Sequence, residues 1–461
     1  MRNEPERVEL LDDGSSSSDV ESVLAVQQCT TNRAKQEWVV QIRNEAERVK
    51  LLDDGSISTA LDRYSKKRSI FKVPALLKNL NDKAYEPQMV SFGPYHNGKE
   101  HLMSMEKCKH NTLLHFIKRS GKPLESYVDA LAPVVRDLKD CYDVLPPSWS
   151  ADTSGFLNLM ALDGCFMLRI LGGNFSENWP GPVFGDMETA GIKRDMLLLE
   201  NQLPMLVLVK IDQVQNGGEV RQEFIQNHVA VRYFGFWPRP VGKCLQVLDM
   251  YRKTLIWDER YVSGNQLTFP GQTHEFWSAI ELTEAGIRLK EEGIISFHKD
   301  NGVLRLPRLE VDNATESIFL NLIAFDGLHA WGFQGEVTSF IYFMRQLIQS
   351  PRDVRLLISS HILENGIGSD EAIVQLFDSL SKEVPILNPF TSKMFNDVYE
   401  PIQDYCRKPQ NRLRAYLVHA YHESTNWSPL AYLSILAAIL LFILSFIQTW
   451  YTIYPYYRPR K

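Results

Sequence analysis

The sequence predicts a mainly α protein: a large helical body with a minor β-hairpin, plus one C-terminal transmembrane helix. Three observations carry that reading. Apolar residues recur at three- and four-residue steps through the middle of the chain, as one face of a helix requires. One short stretch alternates instead, on either side of an Asn-Gly pair. Finally, Leu430 to Tyr451 contains no charged residue at all.

Taken in order, Met1 to Leu24 carries seven acids against Arg2 and Arg7, a net charge of -5, and includes a run of serines from Ser15 to Ser18. The segment RNEPERVELLDDGS (Arg2 to Ser15) returns as RNEAERVKLLDDGS (Arg43 to Ser56), with only Pro5/Ala46 and Glu9/Lys50 changed. Two copies make no solenoid, which needs at least three repeats to bury its faces. Residues 1–37 are therefore expected to form a disordered acidic arm, and the folded body to begin at about residue 68 within a helical domain spanning 38–426. Helices are expected at Met103 to Arg119, along the stripe Leu131, Val134, Val135, Leu138, Cys141, Tyr142 and Leu145, and at Phe156 to Leu171, apolar on nearly every face and stopped by Gly172-Gly173. Gly172 to Gly191 reads as a loop, and Arg194 to Val214 as a helix kinked at Pro204. The alternation Ile294, Ser296, then Val303, Arg305, Leu306 around Asp300-Asn301-Gly302 predicts the hairpin. Further helices follow at Thr315 to Ala324, Glu336 to Gln349 and, capped by Ser369, Asp370 to Ser381.

The last element places the protein. A helix over Leu430 to Tyr451 is about 33 Å long, enough for a ~30 Å hydrocarbon core. Trp427 and Tyr432 lie at one edge and Trp450, Tyr451 and Tyr454 at the other, as headgroup-level aromatics do, with Pro429 as start and Pro455 as stop. The alternative is a central buried helix of a large domain. Residues 452–461 form a short basic tail. The start MRNEPERVELLDDG lacks the apolar run of a signal peptide, so a tail-anchored protein with a cytosolic body in the plasma membrane or an endomembrane is expected. Six widely spaced cysteines without a CxxC pair fit reduced thiols. Against a cytosolic body stand three glycan acceptor patterns, at Asn174, Asn313 and Asn426. Ser434 and Ala438, one turn apart, are candidates for span-to-span packing and hence a homo-oligomer.

Composition removes whole classes of function. With 461 residues there is room for two or three domains, or one large domain with appendages. Net charge is -6, with 44% apolar and 23% charged residues, so the chain is neither collagen-like, fully disordered nor many-spanning, and no basic stripe suggests nucleic acid. The phosphate loop, the dinucleotide turn, the nucleophile elbow and the kinase set are absent. Two zinc-helix near misses, His274-Glu275 and His422-Glu423, have Ser278 and Asn426 where the second histidine belongs. No metal, cofactor or catalytic residue is expected. The polar groups worth weighing are Glu200, Asn201 and Gln202, set among leucines in DMLLLENQLP, and Tyr95 with His96 in a turn-like segment. The first set reads either as a buried acid for proton transfer or as a hydrogen-bonded inter-helix knot. The second reads as a partner contact or as packing on the body. Cys165 reads as a nucleophile or, in so apolar a stretch, as a buried inert thiol.

These clusters also carry a resemblance. Phe71-Lys-Val-Pro74, Ala84-Tyr-Glu-Pro87, Val90-Ser-Phe-Gly-Pro-Tyr-His96, Met105-Glu-Lys107 and Lys109 resemble the opening signature of the plant domain of unknown function 247 family, the UPF0481-like plant membrane proteins. Leu162-Asp-Gly-Cys165-Phe, Asp195 to Pro204, Leu282-Thr-Glu-Ala-Gly286, Leu306-Pro307, Thr315-Glu316, Asn321 to Ala324, Asp353-Val354, Gly368 to Glu371 and Tyr405-Cys406 continue it in order. The resemblance covers roughly residues 38 to 457 and departs from the pattern before that. It implies a predominantly helical body, one C-terminal membrane helix and no transferable catalytic residue. Some relatives in grasses are associated with pollen-side self-incompatibility, which implies recognition or signalling. The expected protein is thus a plant single-pass membrane protein whose body binds an unidentified protein partner, its span meeting membrane lipid. The alternative is a membrane-bound enzyme with an unrecognised site around Glu200 or Cys165.

Overall fold

The structure, a computed structural model, describes residues 68–171, 185–217, 243–256, 277–293, 295–329, 335–383, 393–424 and 429–457. The duplicated arm, the acceptor patterns at Asn174 and Asn426, and residues 172–184 of the expected loop lie outside them.

The body opens on an extended segment in which Ile70 bridges Tyr142. Helix α1 (Ala75–Leu80) follows, entered through Pro74, and then a largely irregular stretch with single 3-10 turns at Asp82–Ala84 and Glu100–Leu102. Helices α2 (Met103–Ser120), α3 (Leu124–Leu131), α4 (Val135–Asp140), α5 (Pro147–Ala151) and α6 (Thr153–Leu171) come next. The stripe expected from Leu131 to Leu145 is not one helix. Pro133 falls in a 3-10 turn (Ala132–Val134), and α4 stops at Asp140 so that Tyr142 can join the bridge to Ile70.

Helix α7 (Asp186–Asp195) occupies the end of the expected loop, and α8 (Met205–Gln215) lies beyond a non-helical link of residues 196–204. This corrects the expectation of one helix kinked at Pro204. Proline ends the link instead, at φ -54° and ψ 134°, in the cap position just before the first turn of α8. Helices α9 (Val247–Ile256) and α10 (Ala279–Glu284) follow; Ser278 caps α10, its Oγ accepting from the Glu281 N–H.

Strands β1 (Arg288–Glu291), β2 (Ser296–His298) and β3 (Val303–Leu306) form a sheet in the order β1-β3-β2. The expected hairpin is the β2–β3 pair, with Ser296 opposite Arg305 and His298 opposite Val303. The alternation gave no sign of β1, which pairs parallel to β3, or of the second small sheet, in which β4 (Leu309–Val311) pairs parallel with β5 (Leu363–Asn365). Between β4 and β5 lie α11 (Thr315–Leu328), α12 (Glu336–Leu347) and α13 (Pro351–Ser359). After β5 come α14 (Asp370–Glu383), α15 (Lys393–Arg407), α16 (Pro409–Ser424) and α17 (Pro429–Tyr457). Pro429 starts α17 as expected, whereas Pro455 lies within its last turn rather than ending it.

Buried apolar side chains from Ile70 to Cys406 form one contiguous core. Helix α6 runs through its first half, packed by α2, α3 and α8, while α11, α12 and α14 build the second half. In helix α17 the stretch Leu436–Ile453 is 0% buried.

Candidate functional site

The densest polar construction in the body is the link of residues 196–204 with the irregular segment 70–102 laid across it. Outside α1 and the two 3-10 turns neither is helix or sheet, so their backbone groups need other partners. Side chains supply them. Asp195 accepts the N–H groups of Gln88, Met89 and Val90 at 2.6 to 3.1 Å. Asn201 accepts the Phe92 N–H at 2.7 Å and donates to the carbonyls of Val90 and Asp195, each at 2.9 Å. Gln202 donates to the carbonyls of Met196 and Leu198 and accepts the Leu248 N–H. From α11, Asn321 accepts the Leu199 N–H at 2.8 Å and donates to the Ala84 carbonyl at 2.9 Å.

Glu200 binds the start of the segment. Its Oε1 accepts the Val73 N–H at 2.7 Å, and its Oε2 lies 3.0 Å from Lys78 Nζ and 3.3 Å from His96 Nε2. Burial opposes charge on this carboxyl, but His96, Lys78 and the Val73 N–H outweigh it and hold the pKa at about 2. The other imidazole nitrogen faces Glu86 at 3.5 Å, and Glu86 also pairs with Lys99. A carboxylate thus faces each ring nitrogen of His96.

His96 is 2% exposed and packs on the body. Tyr95 is half-buried: its hydroxyl receives the Val144 N–H at 3.3 Å, its ring meets Tyr142 edge-on at 5.6 Å, and burial raises its pKa to about 12. Gly93, at φ +72°, closes the segment against α6. A side chain there would meet the Gln202 carbonyl at 2.8 Å, so the close approach requires glycine. Its N–H is accepted by Asp163 at 2.8 Å, and Lys109 pairs with Asp163 at 2.8 Å.

The structure thus joins Tyr95 and His96 to Glu200, Asn201 and Gln202 in one buried network. Sequence reasoning missed Asp163, Lys109, Asp195 and Asn321 as its other members. An acid inside the most apolar helix was the available signal, since a buried charge needs a partner. Chemically the network holds two irregular segments in register. Cys165 has no exposed surface, and burial raises its pKa far above the usual thiol range, the reverse of what a nucleophilic thiolate needs. Among the described residues no group of three or more metal-ligating side chains is assembled. Among the described residues, Cys108, Cys141, Cys165, Cys244 and Cys406 form no disulfide with one another.

Residues 70–444 match the model of a family described as a plant protein of unknown function, DUF247. The chain is similar to a UPF0481 protein of Arabidopsis thaliana, 29% identical over 434 residues, covering 85% of this chain and 87% of the relative. A putative UPF0481 protein of the same plant is 22% identical over 488 residues, covering 82% and 89%. No solved structure matches at comparable stringency.

Proposed function

From the premise that the chain belongs to the plant domain of unknown function 247 family, we propose that it is a single-pass membrane protein whose helical body recognises another protein. One observation carries the reading: α17 extends 29 residues from the body, and its apolar stretch Leu436–Ile453 is 0% buried. Exposed apolar surface on that scale is disfavoured in water and matched by lipid. Anchoring confines the body near other membrane-bound partners and raises their effective concentration. The buried network supports recognition over catalysis, because Asp195 and Glu200 are committed to backbone N–H groups and Glu200 also to Lys78. A cytosolic body remains the preferred orientation, the absence of disulfides between described cysteines being in keeping with a reducing compartment.

Three measurements on full-length protein in plant membranes test this. Retention after alkaline carbonate washing is expected, and release would overturn the anchor. A glycosidase mobility shift would overturn the cytosolic orientation, Asn313 being an exposed acceptor just before α11. Crosslinking on intact pollen and vegetative membranes should yield a discrete hetero-adduct through the body. Monomer alone in both tissues would overturn the recognition role.

A further inference from the structure

A second feature lies where α10 packs on α16, beside the junction of α15 and α16. A cavity of about 300 Å3 opens there to solvent. That is the lower end of the ~300 to 1,000 Å3 typical of small-ligand pockets. Its lining combines aromatic rings, Trp277 and Tyr416, with the acids Glu281 and Glu284, the cation Arg412 and the imidazole of His419. Glu281 is committed to the α10 cap, accepting the Ser278 N–H at 2.8 Å. Glu284 is 7% exposed and faces His419 at 3.4 Å.

We propose that this cavity binds the phosphocholine headgroup of a membrane lipid. Aromatic faces beside a carboxylate are what a quaternary ammonium seeks. Trp277, Tyr416 and Glu284 supply them, while Arg412 supplies a cation for the phosphate. The mixed lining suits a zwitterion: Glu284 opposes a bare anion and Arg412 opposes a bare cation.

Placement selects a lipid over a free metabolite. Helix α16 ends at Ser424 and α17 begins at Pro429, a link reaching at most about 18 Å. His419 lies one helical turn and a half before that end, so the cavity is held near the membrane surface. The inference rests on the reading that α17 spans the membrane. Beside the cavity, α16 presents Leu413, Tyr416 and Leu417, which are 59%, 72% and 58% exposed, at the three- and four-residue spacing of one face. Such an apolar stripe next to Arg412 is suited to the boundary between headgroups and acyl chains.

The test uses the full chain in nanodiscs of equimolar phosphatidylcholine, phosphatidylethanolamine and phosphatidylglycerol, followed by native mass spectrometry. Retention of one phosphatidylcholine in preference to the other two is expected. Tyr416→Ala and Arg412→Ala, both at exposed positions, should each weaken that retention roughly tenfold without shifting the melting temperature. Equal retention of the three lipids, or indifference to both substitutions, would overturn the proposal. So would equally tight binding of choline chloride or inorganic phosphate to the full chain in maltoside micelles, which would mark an ion site instead of a headgroup site. Carbonate washing addresses the anchor separately: a protein washed from membranes yet selective for phosphatidylcholine keeps the site and loses the span, and a retained but unselective protein does the reverse.

Discussion

Helices α6 and α17 are both long and apolar enough to cross a membrane, yet they meet different fates. In α6, 67% of the apolar stretch Thr153–Leu171 is buried inside the body; in α17 the corresponding figure is 0%. Three features of α6 account for the difference. It carries Asp163, which has a protein partner on two sides, Lys109 and the Gly93 N–H, each at 2.8 Å. It also carries Gly164, where a side chain would stand 2.3 Å from Ile211 Cδ1 and 2.8 Å from Val207 Cγ1, so α8 can approach closely. And it is covered by an irregular segment that is pinned in place by acids and amides. Helix α17 has none of these; from Leu436 to Ile453 it carries no charge. Length and apolarity thus qualify a helix for either environment, and specific polar and small residues commit it to one.

The comparison breaks most visibly at the centre of α17. Leu440→Asp with Leu444→Asp places two acids on one face of α17, each costing about 2.5 to 3.5 kcal/mol in insertion if α17 spans the membrane as proposed. The variant should be released by carbonate washing while its body melts as wild type. A body that melts lower would mean that α17 packs on it. A paired phenylalanine experiment comes next in size. Phe166, in α6, is 1% exposed and Phe442, in α17, is 75% exposed. Phe166→Ala should cost about 3 to 5 kcal/mol in denaturant unfolding of the body, whereas Phe442→Ala should leave the midpoint in place. Equal shifts from the two would erase the distinction.

Much of this was legible in the sequence. Helices α2, α6, α11 and α14 begin within about three residues of their expected starts, because an apolar period and a cap are local signals; Ser369, for example, receives the Ala372 N–H. The link 196–204 was misread because its leucines keep helical spacing. What decides its conformation is non-local: the donors that Asp195, Glu200 and Asn201 satisfy belong to residues 73 and 88–92, more than a hundred positions away. Likewise, β1 is too short and polar to stand out until β3 lies beside it. The cavity was invisible for the same reason, since Trp277 and Tyr416 come together only when α16 packs on α10.

A smaller effect would sharpen the contrast by loosening the cover on α6 without touching α17. Glu200 has a folded pKa of about 2 against an ordinary value of 4.5. Because the folded value is depressed, the unfolded chain binds more protons between those two values, and stability rises with pH across that window. The contribution is therefore complete above about pH 4.5 and is lost as pH falls through about 2. Its size is about 3 kcal/mol from a shift of this order, and the near-complete burial of the side chain leaves little solvent screening to reduce it. Glu200→Gln keeps an acceptor for the Val73 N–H but removes the charge facing Lys78 and His96. Wild type should exceed this variant in unfolding free energy at pH 5, and the two curves should converge toward pH 2. A difference that persists undiminished at pH 2 would show that shape, and not charge, is what Glu200 contributes. Carbonate resistance should be the same for both proteins, since nothing in α17 depends on Glu200.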